Sequence, residues 1–269
     1  MKFNDKKTGT ESMDLHVIAK EIYSHQKSAV EMSKISTRYP SLTIEDAYKI
    51  QEINTEKELQ NSDQFVGWKM GLTSFAKQQS VGVNQPIYGR LLKSMEMSNQ
   101  ELSLDGLIHP RVEPEFAFLM NKKLKGNNVT EQEVWQATEG IMPALEIIDS
   151  RYKNFSFNLI DVVADNASST KFFLSEQIYL PNKFQWEKAQ VRMKLNGKVV
   201  QEGKGSAVMG NPVRSVVELV KMLDSSGLCI EPGMIVLTGG ITEAIHVFSG
   251  DSIEVEFDEL DKMNLTVIS

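Results

Sequence analysis

The chain has 269 residues, of which 41% are hydrophobic and 24% charged, as in ordinary globular proteins. Its formal net charge of -7 argues against a nucleic-acid-binding groove. No apolar run approaches the roughly 20 residues of a membrane span, and the polar N-terminus lacks the apolar stretch of a signal peptide. The single cysteine, Cys229, cannot form an internal disulfide. We therefore expect a cytoplasmic protein that binds neither membrane nor nucleic acid.

Helical and strand patterns divide the chain into two parts. Residues 1–12 are predicted to be a flexible N-terminus, and residues 13–269 a single domain. Within it, residues 13–63 show helical spacing, whereas residues 64–269 contain short apolar runs broken by glycine and proline. The expected fold class is therefore α+β, rich in strands after a helical N-terminal region.

Local signals place individual elements within this outline. In chain order, they predict a helix through Leu15 and Ile22, helices beginning near Thr43 and Thr130, a hairpin at Asn196-Gly197, a helix from Asn211-Pro212, and strands at Met234–Thr238 and Ile253–Phe257. The helix starts depend on capping residues and the hairpin on a dipeptide that favours a tight turn.

Three glutamates stand in apolar runs where an acid is out of place. Glu113 and Glu115 lie two residues apart, so on a strand both side chains point to the same face. Glu146 is the one acid in the apolar run 143–148. Carboxylates are rarely buried unless they are paired or bind a metal, and hard oxygen ligands suit Mg²⁺ or Mn²⁺. The sequence predicts a metal site that holds an anionic substrate; the alternative is a solvated strand face.

Lys69 is the candidate catalytic residue. It lies between two glycines and bulky apolar residues in Gly67-Trp-Lys-Met-Gly71. In a pocket with a metal, its ammonium group could hold a carboxylate or stabilise a developing enolate. Two alternatives stay open, a snorkelling lysine on a strand and a Schiff-base lysine.

Four further residues are candidates for substrate contacts. Arg151 could clamp a carboxylate with two hydrogen bonds, or it could pair with Asp149. Ser168 belongs to a polar segment that reads first as a turn or helix cap. Gly239 and Gly240 follow an apolar strand and could bring backbone N–H groups close to an anion, although such a pair is usually a plain turn.

Six motifs occur in order along the chain. They are Gly67-Trp-Lys-Met-Gly-Leu-Thr-Ser74, Gly82-Val-Asn-Gln-Pro-Ile-Tyr-Gly89, Val112-Glu-Pro-Glu115, Ala144-Leu-Glu-Ile-Ile-Asp-Ser-Arg151, Ala164-Asp-Asn-Ala-Ser168 and Thr238-Gly-Gly-Ile-Thr242. From about Thr43 to the end, the chain resembles the hydratase/decarboxylase branch of the fumarylacetoacetate hydrolase superfamily. The resemblance implies the strand-rich mixed β-roll of that superfamily.

Within this branch, the chain resembles the decarboxylase members more than the hydratases. Hydratases typically carry an aspartate where this chain has Ile87, and Ser-Gly-Ser where it has Thr238–Thr242. The implied activity is metal-dependent loss of CO₂ from 2-oxo-3-hexenedioate, which gives 2-hydroxypenta-2,4-dienoate in aromatic meta-cleavage catabolism. The alternatives are a 2-oxopent-4-enoate hydratase and, more distantly, a non-catalytic scaffold partner.

The resemblance also implies roles for the candidate residues and for partners. The three glutamates would hold Mg²⁺ or Mn²⁺ and, through it, the 2-oxo acid end of a small diacid. Lys69 would orient the substrate or stabilise the dienolate, and Ser168 and the backbone of Gly239 and Gly240 would make further contacts. A homo-oligomer is expected, as is a complex with a 2-oxopent-4-enoate hydratase.

Overall fold

The computed structural model describes residues 14–81 and 83–269, so the flexible N-terminus predicted for residues 1–12 lies outside the described residues. The helices of the described part are α1 (Leu15–Ser28), α2 (Ile35–Arg38), α3 (Ile44–Gln60), α4 (Phe75–Val81), α5 (Glu131–Ala137), α6 (Leu159–Ala164) and α7 (Pro212–Ser225). Its strands are β1 (Phe65–Gly71), β2 (Ile87–Leu92), β3 (Glu101–Ser103), β4 (Arg111–Met120), β5 (Thr138–Ile148), β6 (Ser169–Leu174), β7 (Gln190–Leu195), β8 (Lys198–Lys204), β9 (Ile235–Leu237), β10 (Ile245–His246), β11 (Ser252–Phe257) and β12 (Lys262–Ile268).

The helical N-terminal region begins at residues that cap helices. Asp14 accepts a hydrogen bond from the backbone N–H of His16 at the start of α1. Thr43 and Asp46 form a reciprocal capping box at the start of α3, as the sequence predicts. A side-chain cap of this kind stabilises a helix by about 1 kcal/mol. Among the described residues, no helix combines the length and the apolar character that crossing a bilayer requires.

A shared apolar core joins this region to the rest of the chain. The buried side chains of α1, α3 and α6 form one cluster, which includes Ile18, Ile22, Ala47, Ile50 and Val163. α3 and α6 are in contact, and α6 is followed by a short turn that leads into β6. The N-terminal helices therefore pack against the segment that precedes the site described below.

The larger sheet has the strand order β2-β1-β9-β4-β5-β6, with β10 paired to β4. β1 and β9 run parallel, whereas β4 is antiparallel to both β9 and β5. Side chains alternate along β4, so Phe116 and Phe118 enter the main core while Ala117 belongs to a separate cluster on the other face. One face of β4 thus packs against the main core, and the other face carries Glu113 and Glu115.

The second sheet has the order β3-β12-β11-β7-β8 and covers the core face of the first. Its β7–β8 hairpin turns at Asn196 and Gly197, both with positive φ, 51° and 77°, as a two-residue turn of this type needs. Phe257 of β11 meets Phe116 of β4, with 5.8 Å between the ring centroids. The predicted hairpin is confirmed, and the mixed α+β architecture matches the expected fold class.

Candidate metal centre and active site

Three glutamate side chains converge on one face of the β4–β5 pair. Glu113 is directly opposite Glu146 in the antiparallel register, and Glu115 follows two residues later on the same face of β4. One carboxylate oxygen of each glutamate lies within 4.8 Å of the other two, and all three residues are buried. The structure therefore brings together the three residues that the sequence selects as metal ligands. Their role as ligands stays a prediction.

The chemistry of this cluster fits a divalent metal. Burial, followed by the neighbouring carboxylates of Glu146 and Glu113, raises the pKa of Glu115 well above its ordinary value. Burial also raises the pKa of Glu146, although the ammonium group of Lys69 opposes it. Oε1 of Glu115 is buried and has no hydrogen-bond partner among the described residues. An orphaned carboxylate oxygen beside two further carboxylates is a donor set that Mg²⁺ or Mn²⁺ prefers.

Lys69 lies beside the cluster on β1, with 2% of its surface exposed. Its Nζ is 2.9 Å from Oε2 of Glu146 and donates to the backbone oxygen of Ala167 at 3.1 Å. Burial lowers the pKa of Lys69, but the three glutamate carboxylates, Glu146 first, outweigh this, so the pKa is raised above its ordinary value. Lys69 is therefore a fixed positive charge, which favours charge stabilisation over Schiff-base chemistry.

A left-handed turn follows α6 and packs on the cluster. Residues 166–168 all have positive φ, between 51° and 58°, although none is a glycine. Such conformations cost about 1–3 kcal/mol each and concentrate at functional sites. Ala167 supplies the carbonyl that accepts the lysine hydrogen bond, and Ser169 donates to Oε1 of Glu146 at 2.8 Å. Oγ of Ser168 is buried without a hydrogen-bond partner in the described part of the chain. Its assignment as a substrate contact stays a prediction.

Gly239 and Gly240 complete the cluster from the end of β9. The N–H of Gly239 donates to Oε2 of Glu115 at 2.7 Å, and its φ of 104° lies in the region that favours glycine. A Cβ added at Gly240 would overlap the carboxylate of Glu113 and the ammonium of Lys77. Glycine at both positions therefore lets the backbone approach the carboxylates of Glu115 and Glu113 closely. The predicted backbone contact with substrate stays a prediction.

Sequence reasoning missed two residues that contact the cluster. Nζ of Lys77, on α4, is 2.7 Å from Oε2 of Glu113 and donates to the backbone oxygen of Gly240 at 3.2 Å. Ser169 follows Ser168 in the polar segment, and its hydroxyl donates to Oε1 of Glu146. No local signal separates Lys77 from a surface lysine, because α4 has only seven residues and its contact with β4 is tertiary.

Arg151 lies in a buried ion pair with Asp165. Its Nε pairs with Oδ1 of Asp165, and its Nη2 donates to the backbone oxygen of that residue at 2.6 Å. The alternative pairing of Arg151 with Asp149 is wrong. Asp149 instead accepts hydrogen bonds from the backbone N–H groups of Ile108 and His109, at 2.9 and 2.8 Å, because its side chain turns toward the loop before β4. A substrate contact through Arg151 stays a prediction.

Ile87 supplies an apolar side chain on the lysine side of the site. It pairs with Gly71 across β1 and β2 and is buried. A Cβ built on Gly71 would lie 3.1 Å from Cγ1 of Ile87 and 3.9 Å from Nζ of Lys69, so the two side chains share one face of the sheet. The side chain at position 87 is therefore apolar and close to the candidate catalytic residue.

Similar proteins identify the family. Residues 76–268 match the family described as fumarylacetoacetate (FAA) hydrolase C-terminal. The chain belongs to this family. A curated relative, the 4-oxalocrotonate decarboxylase of Pseudomonas sp. (strain CF600), is 40% identical over 245 residues, which cover 90% of this chain and 92% of the relative. The 2-keto-4-pentenoate hydratase of Paraburkholderia xenovorans (strain LB400) is 32% identical over 237 residues, with 88% of each chain covered.

Solved structures agree with this assignment. The 4-oxalocrotonate decarboxylase from Pseudomonas putida G7, complexed with magnesium and adipate, has a TM-score of 0.93 and 34% identity, and the match covers 96% of this chain and 99% of that one. A second structure of that enzyme, complexed with calcium and acetate, has a TM-score of 0.91 and 33% identity. The predicted strand-rich roll with a helical N-terminal region is confirmed.

Proposed function

We infer that this chain is a metal-dependent decarboxylase of 2-oxo-3-hexenedioate, which it converts to 2-hydroxypenta-2,4-dienoate and CO₂ in aromatic meta-cleavage catabolism. The observation that carries this proposal is the 40% identity, over 90% of this chain, with a curated 4-oxalocrotonate decarboxylase. The proposal is supported by three converging glutamates that would hold a metal and by the ammonium group of Lys69 beside them, which are the groups that this reaction uses.

Glu113, Glu115 and Glu146 would hold Mg²⁺ or Mn²⁺. When bound, the cation supplies a Lewis acid that polarises the 2-oxo group of the substrate. The 2-oxo acid end of the substrate would then lie at the three carboxylates, which are buried and converge on one face of the sheet. The remaining four carbons of the diacid extend away from this point.

We assign to Lys69 the stabilisation of the negative charge that develops on the 2-oxo oxygen during decarboxylation. When the C6 carboxylate leaves as CO₂, the electron pair of the C5–C6 bond moves through the C3–C4 double bond to the 2-oxo oxygen. That oxygen becomes anionic and then takes a proton, which gives the dienol product. The ammonium group of Lys69 lies beside the glutamates and is fixed by two contacts, so it stabilises this charge without reorganisation.

Ile87 favours decarboxylation over the hydratase alternative. Adding water to a dienol needs a group that activates the water, and an isoleucine side chain beside Lys69 cannot do so. Hydratases among the relatives are 32–36% identical to this chain, so the alternative keeps the same fold. The scaffold alternative is disfavoured because three buried acids are costly to keep without a ligand.

The reaction can be tested with substrate labelled with ¹³C at C6 and followed by NMR. Decarboxylation transfers the label to CO₂ and bicarbonate at the rate at which substrate disappears. A hydratase would leave the substrate untouched and consume 2-hydroxypenta-2,4-dienoate instead. A scaffold protein would act on neither compound.

We further propose that the protein is cytoplasmic, forms a homo-oligomer, and associates with a 2-oxopent-4-enoate hydratase. The support for the last point is chemical, because the dienol product is unstable and a neighbouring hydratase would consume it. Light scattering after size-exclusion chromatography tests the oligomer. Co-elution with a purified hydratase tests the complex, and elution at separate volumes would contradict it.

A further inference from the structure

Lys77 contacts a different glutamate of the cluster from the one that Lys69 contacts. Its Nζ is 2.7 Å from Oε2 of Glu113 and donates to the backbone oxygen of Gly240 at 3.2 Å. Lys69 instead contacts Oε2 of Glu146. Each of the two ammonium groups therefore pairs with a different glutamate of the cluster.

The surroundings of the two lysines differ. The side chain of Lys69 is 3% exposed and lies on a strand, whereas the side chain of Lys77 is 16% exposed and lies on the short helix α4. Lys69 also donates a hydrogen bond to the left-handed turn, at the backbone oxygen of Ala167. Lys77 is therefore the more exposed of the two cations beside the cluster.

Lys77 and a divalent cation compete for the same carboxylate. A cation held by the three glutamates draws on the charge of Glu113, which otherwise neutralises the ammonium group. With less negative charge available from Glu113, the ammonium group of Lys77 attracts other anions more strongly, and a carboxylate of the substrate is one such anion.

We propose that Lys77 exchanges partners, neutralising Glu113 in the metal-free protein and binding the C1 carboxylate of the 2-oxo acid in the metal-loaded protein. The choice of ligand rests on the proposed function. The C1 carboxylate is adjacent to the 2-oxo group and so lies near the glutamates, whereas C6 is four carbons away. The C6 carboxylate also loses its charge as CO₂ forms, so a cation bound there would stabilise the substrate more than the transition state and slow the reaction.

Two variants and one control test this exchange. Lys77→Met removes the charge with little change in length, and Lys77→Arg keeps it. Lys93→Met is the matched control, because Lys93 also lies 2.7 Å from a glutamate, Glu96, but is exposed. Mn²⁺ affinity is measured from the electron paramagnetic resonance signal of free Mn²⁺. Affinities for 2-oxoadipate and 2-oxohexanoate, unreactive analogues with and without the distal carboxylate, are measured by calorimetry at saturating Mn²⁺.

Lys77→Met is expected to bind Mn²⁺ about tenfold more tightly and both 2-oxo acids about tenfold more weakly, since one nearby positive charge has been removed. Opposite changes in the two affinities distinguish this role from a general loss of structure at the site, which would weaken the binding of both ligands. Lys77→Arg should restore both affinities, and Lys93→Met should change neither.

Three results would overturn the proposal. Mn²⁺ affinity could be unchanged or lower in Lys77→Met, 2-oxo acid affinity could be unchanged, or binding of 2-oxoadipate alone could weaken, which would place Lys77 at the distal carboxylate. If both binding effects occur while the wild-type protein fails to decarboxylate 2-oxo-3-hexenedioate, the proposed function fails and the exchange at Lys77 stands.

Discussion

Glu113 of β4 and Glu146 of β5 face each other directly across an antiparallel strand pair. Side chains at such positions are about 5 Å apart, where two like charges destabilise a sheet. Here Lys77 and Lys69 each neutralise one of the two acids. A register shift of one residue would turn a whole strand over and send its glutamate into the apolar core. The candidate metal centre is therefore a consequence of the strand register.

The ligand assignment predicts opposite effects of Glu115→Gln on metal binding and on stability. The amide has the same shape but no charge, so we expect Mn²⁺ affinity to fall about 100-fold, with the metal-free protein at least as stable as the wild type, because a buried charge has gone. Mn²⁺ titration and thermal unfolding in EDTA measure both. Glu139→Gln, at an exposed position of β5, is the control. Unchanged Mn²⁺ affinity would show that Glu115 is not a ligand.

The role of Lys69 predicts a defect in turnover that metal cannot restore. Lys69→Met removes the charge that stabilises the anionic oxygen, and we expect kcat to fall about 100-fold. Mn²⁺ affinity should not fall, because a competing cation has been removed. Steady-state kinetics at saturating Mn²⁺ provide the measurement, with Lys198→Met on the exposed strand β8 as the control. Normal turnover would mean that Lys69 is structural.

The close approach of Gly240 to the carboxylate of Glu113 predicts that a methyl group added at position 240 weakens metal binding. In Gly240→Ala the new Cβ would displace the carboxylate of Glu113, so we expect Mn²⁺ affinity to fall at least tenfold. Gly126→Ala is the control, because Gly126 has a positive φ of 110° but no atoms within 4 Å of an added Cβ. That variant should lose about 1 kcal/mol of stability and no metal affinity. Equal metal affinities in the two variants would contradict the close approach.

Burial of Asp165 predicts a specific pH dependence of stability. Burial raises the pKa of its carboxyl from an ordinary 3.8 to about 6, although Arg151 opposes the shift. The folded state therefore binds this proton more tightly than the unfolded state does. Its contribution to stability is complete below pH 3.8 and is lost as the pH rises to about 6.

The wild-type protein should thus lose about 3 kcal/mol of unfolding free energy relative to Asp165→Asn across this interval. Urea unfolding at several pH values measures the difference, with the exposed Asp258→Asn as the control. Parallel pH curves for the wild type and Asp165→Asn would show that the pKa of Asp165 is not raised.

The parts of the candidate site that depend on strand geometry could be predicted from the sequence. Glu113 and Glu115 share a face because side chains alternate with a period of two, and the glycines around Lys69 mark a crowded position. Other parts depend on packing between distant segments. Lys77 contacts Glu113 across a sequence separation of 36 residues, and Arg151 contacts Asp165 across a separation of 14. No local pattern encodes these contacts.

The most direct test of metal-dependent decarboxylation is the absorbance of 2-oxo-3-hexenedioate mixed with purified protein and Mg²⁺ or Mn²⁺, before and after excess EDTA. We predict loss of substrate with release of CO₂ while metal is present, and no loss once EDTA removes it. Substrate that stays intact with metal, while 2-hydroxypenta-2,4-dienoate is consumed, would show that the protein is a hydratase and that Ile87 does not decide the reaction.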